Sequence, residues 1–150
     1  MQSVRSILDR KGLEVFAVSE GATVLDAARV MNERRVGALV VTQGEHVVGI
    51  FTERDVLNRV VAARRDPGET RVADVMTTPV AVCGPDTSRD ECRAVMREKR
   101  IRHLPVVDDD RLVGIISIGD ILLNGEAESE ETIRYLYEYM HGDWSLAGTH

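Results

Sequence analysis

The first 66 residues change hydrophobic period four times, and each change marks a predicted element. Val4 to Lys11 reads as a short helix that delivers the chain to a strand near Leu13 to Val18. Thr23 then opens a helix through Arg34, with Val24, Ala27, Ala28 and Met31 on one face at helical spacing. Thr23 can cap that helix, and Asp26 is placed to return a bond to the backbone. After Gly37 come two nearly continuous apolar runs, Ala38 to Thr42 and Val47 to Phe51, joined by a tight turn at Gln43-Gly44-Glu45. Runs of this kind suit strands covered on both faces. Thr52 starts a second helix, for which the pattern predicts Val56, Leu57, Val60 and Val61 as the inner face. The order is strand, helix, strand, strand, helix.

The same order returns. GIFTERD, from Gly49 to Asp55, reappears as GIISIGD, from Gly114 to Asp120, 65 positions on, and the offset holds without a gap through the flanking residues. Val15 meets Val80, Met31 meets Met96, Arg35 meets Arg100, Leu39 meets Leu104 and Leu57 meets Leu122. Matches that include a glycine, an aspartate and basic residues in one register establish an internal repeat. Ser88 and Glu91 repeat the Thr23 cap, and Asp108-Asp109-Asp110 repeats the turn. Arg64 to Glu69, with its Pro-Gly turn, links the copies. The expected organisation is 1–66 for the first repeat, 67–125 for the second, and 126–150 for a C-terminal helix and tail. Asn124-Gly125 is the expected stop, and Glu126 to Glu131 an acidic, solvated helix start. Beyond it Ile133, Leu136, Tyr137 and Met140 share a helical face, and the tail from Gly142, with Trp144, is expected to fray.

Composition narrows the class. A chain of 150 residues buries one sizeable core, or two small ones packed together, and a single repeat alone would be marginal. With 43% hydrophobic and 29% charged residues, extensive disorder is not expected. No apolar run approaches a membrane span and Met1 to Lys11 has no signal-like apolar centre, so a cytoplasmic location is expected. The net charge of −6 argues against general nucleic-acid binding. Cys83, on a strand, and Cys92, on the buried side of a helix, are read as two buried thiols. The four histidines show no metal-ligand spacing.

The two terminal motifs carry the candidate chemistry. Thr52 with Asp55, and Ser117 with Asp120, have the spacing of a helix-capping box, which needs no ligand. The same geometry also suits a nucleotide: backbone N–H groups and a hydroxyl face a phosphate, and an acceptor-only aspartate meets two ribose hydroxyls.

Met76-Thr77-Thr78-Pro79-Val80, Arg100-Ile101-Arg102-His103-Leu104-Pro105-Val106-Val107 and Gly114-Ile115-Ile116-Ser117-Ile118-Gly119-Asp120 resemble, in this order, a cystathionine-β-synthase (CBS) domain. About residues 1 to 124 resemble a tandem CBS pair, or Bateman module, of the stand-alone bacterial type. The first copy departs in having Lys11-Gly12-Leu13-Glu14-Val15 and Val36-Gly37-Ala38-Leu39-Val40-Val41 at the first two motifs. The resemblance implies an α/β (α+β) fold of two β-α-β-β-α repeats about a pseudo-two-fold axis, with two clefts that take AMP, ADP, ATP, S-adenosylmethionine or NAD(H). It implies that Asp55 and Asp120 hold ribose and that Thr52 and Ser117 lie beside phosphate or ribose. The base is expected against Thr78, Val80 and Ala81 in one cleft and Glu14 to Phe16 in the other. Across the axis, Arg102 and His103 are expected at the Asp55 cleft, with Arg54 as a further cation, and Gly37 and Ala38 at the Asp120 cleft. The Asp55 cleft is then expected to hold phosphorylated ligands more firmly. The resemblance also implies a homodimer and a separate regulated protein.

The leading expectation is an adenine-nucleotide sensor with no catalytic residues, no obligatory cofactor and no metal. A ligand-independent homodimeric scaffold is the alternative. An enzyme is a third reading, against which stand the lack of a GxxxxGK[ST] loop, a triad or paired metal-binding carboxylates.

Overall fold

The computed structural model describes residues 3–122. The expectations for 123–150, including the Ile133, Leu136, Tyr137 and Met140 face, the Glu126 to Glu131 run and Trp144, lie outside the described residues.

The repeat is visible element by element. Helix α1 (Val4–Lys11) precedes β1 (Ala17–Ser19), α2 (Val24–Arg34), β2 (Ala38–Gln43), β3 (His46–Thr52) and α3 (Glu53–Asp55), which continues as a π-helix, Val56–Val61. Helix α4 (Val72–Val75) precedes α5 (Arg89–Lys99), β4 (His103–Asp108), β5 (Arg111–Ser117) and α6 (Ile118–Leu122). Helices α2 and α5, strands β2 and β4, and strands β3 and β5 begin and end 65 positions apart. Even the irregularities match. Both antiparallel hairpins slip register at the same place, between Val41 and Thr42 and between Val106 and Val107, and Arg35 and Arg100 close their helices with the same left-handed φ of 57°. The caps follow the sequence in part: Thr23 accepts from the Asp26 N–H without the expected return bond from the Asp26 side chain, whereas Ser88 and Glu91 form the full reciprocal box.

The first strand is shorter than expected in both copies. Only Ala17 to Ser19 pair with β2, in parallel, and the second copy keeps a single parallel bridge, Cys83 with Val106, at the same offset. Residues 13–16 and 77–82 instead span the gap between the repeats, because the helix before each span packs on the other copy from the strand after it. Val4, Ile7 and Leu8 of α1 join the core built from Cys92, Met96, Leu104, Val106, Ile116 and Ile121. Val72 and Val75 of α4 join the core of Val24, Ala27, Met31, Leu39, Phe51 and Val60. The cores therefore cross the sequence boundary at 66/67.

Exchanged contacts are equivalent, as pseudo-two-fold packing requires. Val4 N–H donates to Thr87 O at 2.9 Å and Arg5 N–H to Pro85 O at 2.8 Å, and Val72 and Ala73 do the same to Ala22 and Glu20 at 2.8 and 3.1 Å. Val4 thus stands where Val72 does, and Leu8 where Met76 does. Helix α1 has eight residues and α4 four, so α1 runs on by a turn that ends in Lys11.

The inner face expected after Thr52 is half corrected. Val60 is 1% exposed, but Leu57 and Val61 are 60% and 62% exposed. The π-helical bonds, such as Ala62 N–H to Leu57 O at 2.9 Å, change the angular spacing on which that face was drawn. Both cysteines are buried and unbridged, as expected. The hydrogen bond with Cys92, together with burial, pushes the Cys83 thiol far above the usual range, so it stays protonated.

Candidate functional site

Both terminal motifs form the capping box that their spacing predicts. In the first copy Asp55 N–H donates to Thr52 Oγ1 at 3.2 Å, and Thr52 N–H returns to Asp55 Oδ2 at 3.0 Å. In the second, Asp120 N–H donates to Ser117 Oγ at 3.1 Å and Ser117 N–H to Asp120 Oδ2 at 2.7 Å. The box fixes each carboxylate at the point where a sheet gives way to a helix.

Beyond the box the copies differ. Asp55 is 5% exposed, and its second oxygen, Oδ1, accepts the Thr77 hydroxyl at 2.9 Å with Arg59 Nε 3.8 Å away. Thr77 is itself fixed along β3 by a reciprocal backbone pair with Ile50 at 2.8 and 3.1 Å. Arg59 donates to the carbonyls of Val75 and Met76 at 3.3 and 2.8 Å, closing the end of α4 over the carboxylate. Asp55 has both oxygens engaged by its own chain.

Asp120 keeps 22% of its side chain exposed, and among the described residues its hydrogen bonds all fall on Oδ2. Lys11 Nζ lies 2.7 Å from that oxygen and 2.9 Å from the carbonyl of Ile115. His103 pairs with Ser117 across the β4–β5 ladder, and Asp120, Lys11 and Arg102 are the charges that act on it. Burial pushes the His103 imidazole below its ordinary range, against the pull of Asp120 and with the push of Lys11 and Arg102. It is therefore neutral at pH 7.

These placements correct the expected pairing of residues across the axis. His103 belongs with Asp120 instead of Asp55, and on the same side the Arg102 carbonyl accepts the Ile118 N–H at 2.8 Å. Gly37 and Ala38 belong with Asp55: Ala38 pairs with Thr52, the Gly37 carbonyl accepts the Glu53 N–H at 3.0 Å, and a Cβ at Gly37 would meet the Glu53 side chain. The reason is register, since each copy's second strand pairs with its own third and brings its own flank to its own motif. Thr78 joins the Asp55 side, where its hydroxyl donates to the Val48 carbonyl at 3.1 Å. Val80 and Ala81 are half-buried in the second crossing span, and Ala81 packs on the second core. Phe16 is half-buried in the first span, its ring 5.2 Å beneath the Arg34 guanidinium. Arg54 is exposed on α3.

Three further residues belong to the site. Arg59, one helical turn after Asp55, was legible from its spacing. Thr77 lies in the Met76-Thr77-Thr78-Pro79-Val80 segment, where the sequence alone gives it no role, and Lys11 is hidden because nothing in the periodicity shows where α1 packs. Among the described residues no cluster of three or more histidine, cysteine or acidic side chains is placed to hold a metal ion, and no helix is long and apolar enough to cross a membrane.

Comparison with known proteins places this geometry in a family. The CBS domain model matches twice, over residues 4–62 and 72–125. The CBS domain-containing protein YhcV of Bacillus subtilis is 36% identical over 119 residues, covering 79% of this chain and 84% of the relative. The mitochondrial protein CBSX3 of Arabidopsis thaliana is 36% identical over 127 residues, and here the match covers 81% of this chain but only 62% of the relative. A Burkholderia ambifaria protein with CBS domains superposes with a TM-score of 0.80 at 41% identity, covering 86% of this chain and 97% of that one. A hexameric CBS-CP12 protein from cyanobacteria superposes with a TM-score of 0.73 at 30% identity, covering 91% and 81%. The chain belongs to the CBS-domain family and carries two of its repeats in tandem.

Proposed function

We propose that the chain is a regulatory module that binds an adenine nucleotide, AMP, ADP, ATP or NAD(H), at the Asp120 site and passes its occupancy to a separate protein. CBS domains act generally as regulatory or sensor modules. The observation that carries the choice of site is the difference between the two carboxylates. Asp55 is sealed by Thr77 and Arg59, whereas Asp120 offers a partly exposed carboxylate beside Lys11, His103 and Arg102. A ribose can donate two hydroxyls to such an acceptor, and the Lys11 and Arg102 cations, with a neutral His103 as a further hydrogen-bonding group, suit its phosphate. This reverses the expectation that the Asp55 cleft is the stronger one. A homodimer is part of the proposal, supported by the exposed apolar pair Leu57 and Val61.

A thermal-shift panel of AMP, ADP, ATP and NADH tests it. A ligand at ~100 times its Kd adds about 2.7 kcal/mol of stability. Asp120→Asn is expected to abolish the shift and Asp55→Asn to retain it, each measured against its own unliganded melting point. Equal loss in both variants sinks the one-site reading. No shift with any nucleotide favours the second reading, a dimeric scaffold, which rests on the fact that both motifs do form complete capping boxes.

A further inference from the structure

We propose that Lys11 is the residue that makes the Asp120 site select phosphorylated ligands over neutral nucleosides, an inference that rests on the reading of Asp120 as the nucleotide site. The first ground is topological. The chain before each repeat crosses to the other copy by equivalent contacts, but α1 is one turn longer than α4, and Lys11 closes that turn. At Asp55 the corresponding crossing supplies only a neutral hydroxyl, from Thr77. The cation at Asp55, Arg59, comes from that site's own helix, so a cation carried in by the crossing chain is a property of one site and not of the repeat.

The second ground is donor arithmetic. An ammonium has three N–H donors. Two are spent within the described residues, on Asp120 Oδ2 and the Ile115 carbonyl, and 30% of the Lys11 side chain remains exposed. The third donor can meet a phosphate oxygen while the first keeps the carboxylate oriented for the sugar. Gly12, with φ of +96°, ends the helix at this point, and its N–H returns to Leu8 O at 2.8 Å. The ammonium thus stands at the C-terminal end of α1, where the helix dipole favours a cation. A neutral nucleoside gains nothing from that third donor, and a nucleoside phosphate gains a charge-assisted bond.

The test is calorimetric titration of AMP and adenosine into the wild-type protein, Lys11→Met, Lys11→Arg and Asp120→Asn, with circular dichroism to confirm folding. Lys11→Met is expected to weaken AMP about tenfold or more while changing adenosine by less than about threefold, in line with one hydrogen bond to a charged group. Lys11→Arg is expected to restore most of the AMP affinity. If Lys11→Met weakens both ligands equally, the lysine only positions Asp120 and the inference is overturned. It is also overturned if AMP binding survives Lys11→Met yet is lost in Asp120→Asn, an outcome that leaves the nucleotide site standing. Should Lys11→Met not fold, Lys11→Gln carries the same comparison. Failure of the wild-type protein to bind either ligand removes the site itself, and this inference with it.

Discussion

Gly49 and Gly114 hold the repeat together for a steric reason that one copy alone does not reveal. A Cβ at Gly49 would lie 2.6 Å from Met76 Sδ and 3.0 Å from the Thr77 carbonyl, whereas at Gly114 it would lie 3.0 Å from Leu8 Cδ2. The incoming chain crosses each sheet at its glycine. Thr77 is bonded to Ile50 through both backbone groups and to Asp55 through its hydroxyl, so it has little room to retreat, while a leucine side chain can turn. Gly49→Ala is therefore expected to cost roughly 1–3 kcal/mol of stability and Gly114→Ala less than about 1.5 kcal/mol. Urea denaturation midpoints of the two variants check the order. The repeated glycine was plain in the sequence, as were the hydroxyl and acid of each terminal motif. What occupies the space above each glycine was not, because Met76 and Leu8 are aligned by packing, 68 positions apart, and not by the offset of 65.

At the scale of elements, periodicity located helices and strands closely wherever side chains alternate against one core, and it failed where the backbone leaves its ordinary spacing. Helix α2 and the two hairpins fall where the pattern places them. After Asp55 the π-helix breaks the pattern: Val60 is buried, and Leu57 and Val61 turn outward. By the offset Leu57 matches Leu122, which is 8% exposed within α6 and lies in the second core, so identical residues in equivalent positions face different surroundings. Val60→Ala is expected to cost about 2 kcal/mol through the cavity it leaves, and Leu57→Gln to stay within about 0.5 kcal/mol. Denaturant titration at two protein concentrations separates these terms. A larger loss in Leu57→Gln that grows on dilution would place that side chain in a contact between copies of the chain. The expected pairing of His103 with Asp55 failed for a different reason: strand register, which sets His103 against Ser117, is invisible to the offset.

For the molecule as a whole, the exchange of helices makes two small repeats into one cooperative body. Each repeat alone is near the size at which a single core becomes marginal, and each core is completed by a helix packed against it from the crossing chain. Helix α1 is the decisive case, since Val4, Ile7 and Leu8 are 0%, 3% and 5% exposed within a core whose other members run from Cys83 to Leu122. The crossing that buries these three also carries Lys11 to Asp120, so the Lys11–Asp120 ion pair and the seating of α1 are mechanically joined. Leu8→Ala, which removes the side chain packed over Gly114, is expected to cost about 2–5 kcal/mol. Its signature is where the loss is felt. Native-state hydrogen exchange should show reduced protection in α1 and, equally, in β4 and β5, because opening α1 uncovers the core of the second repeat. If α1 were only a terminal appendage, protection would fall in residues 4–11 alone and the strands from His103 to Ser117 would exchange as before. Coincident unfolding of both repeats in the wild-type protein, followed by spectroscopic probes placed in each, is the companion result that a shared pair of cores requires.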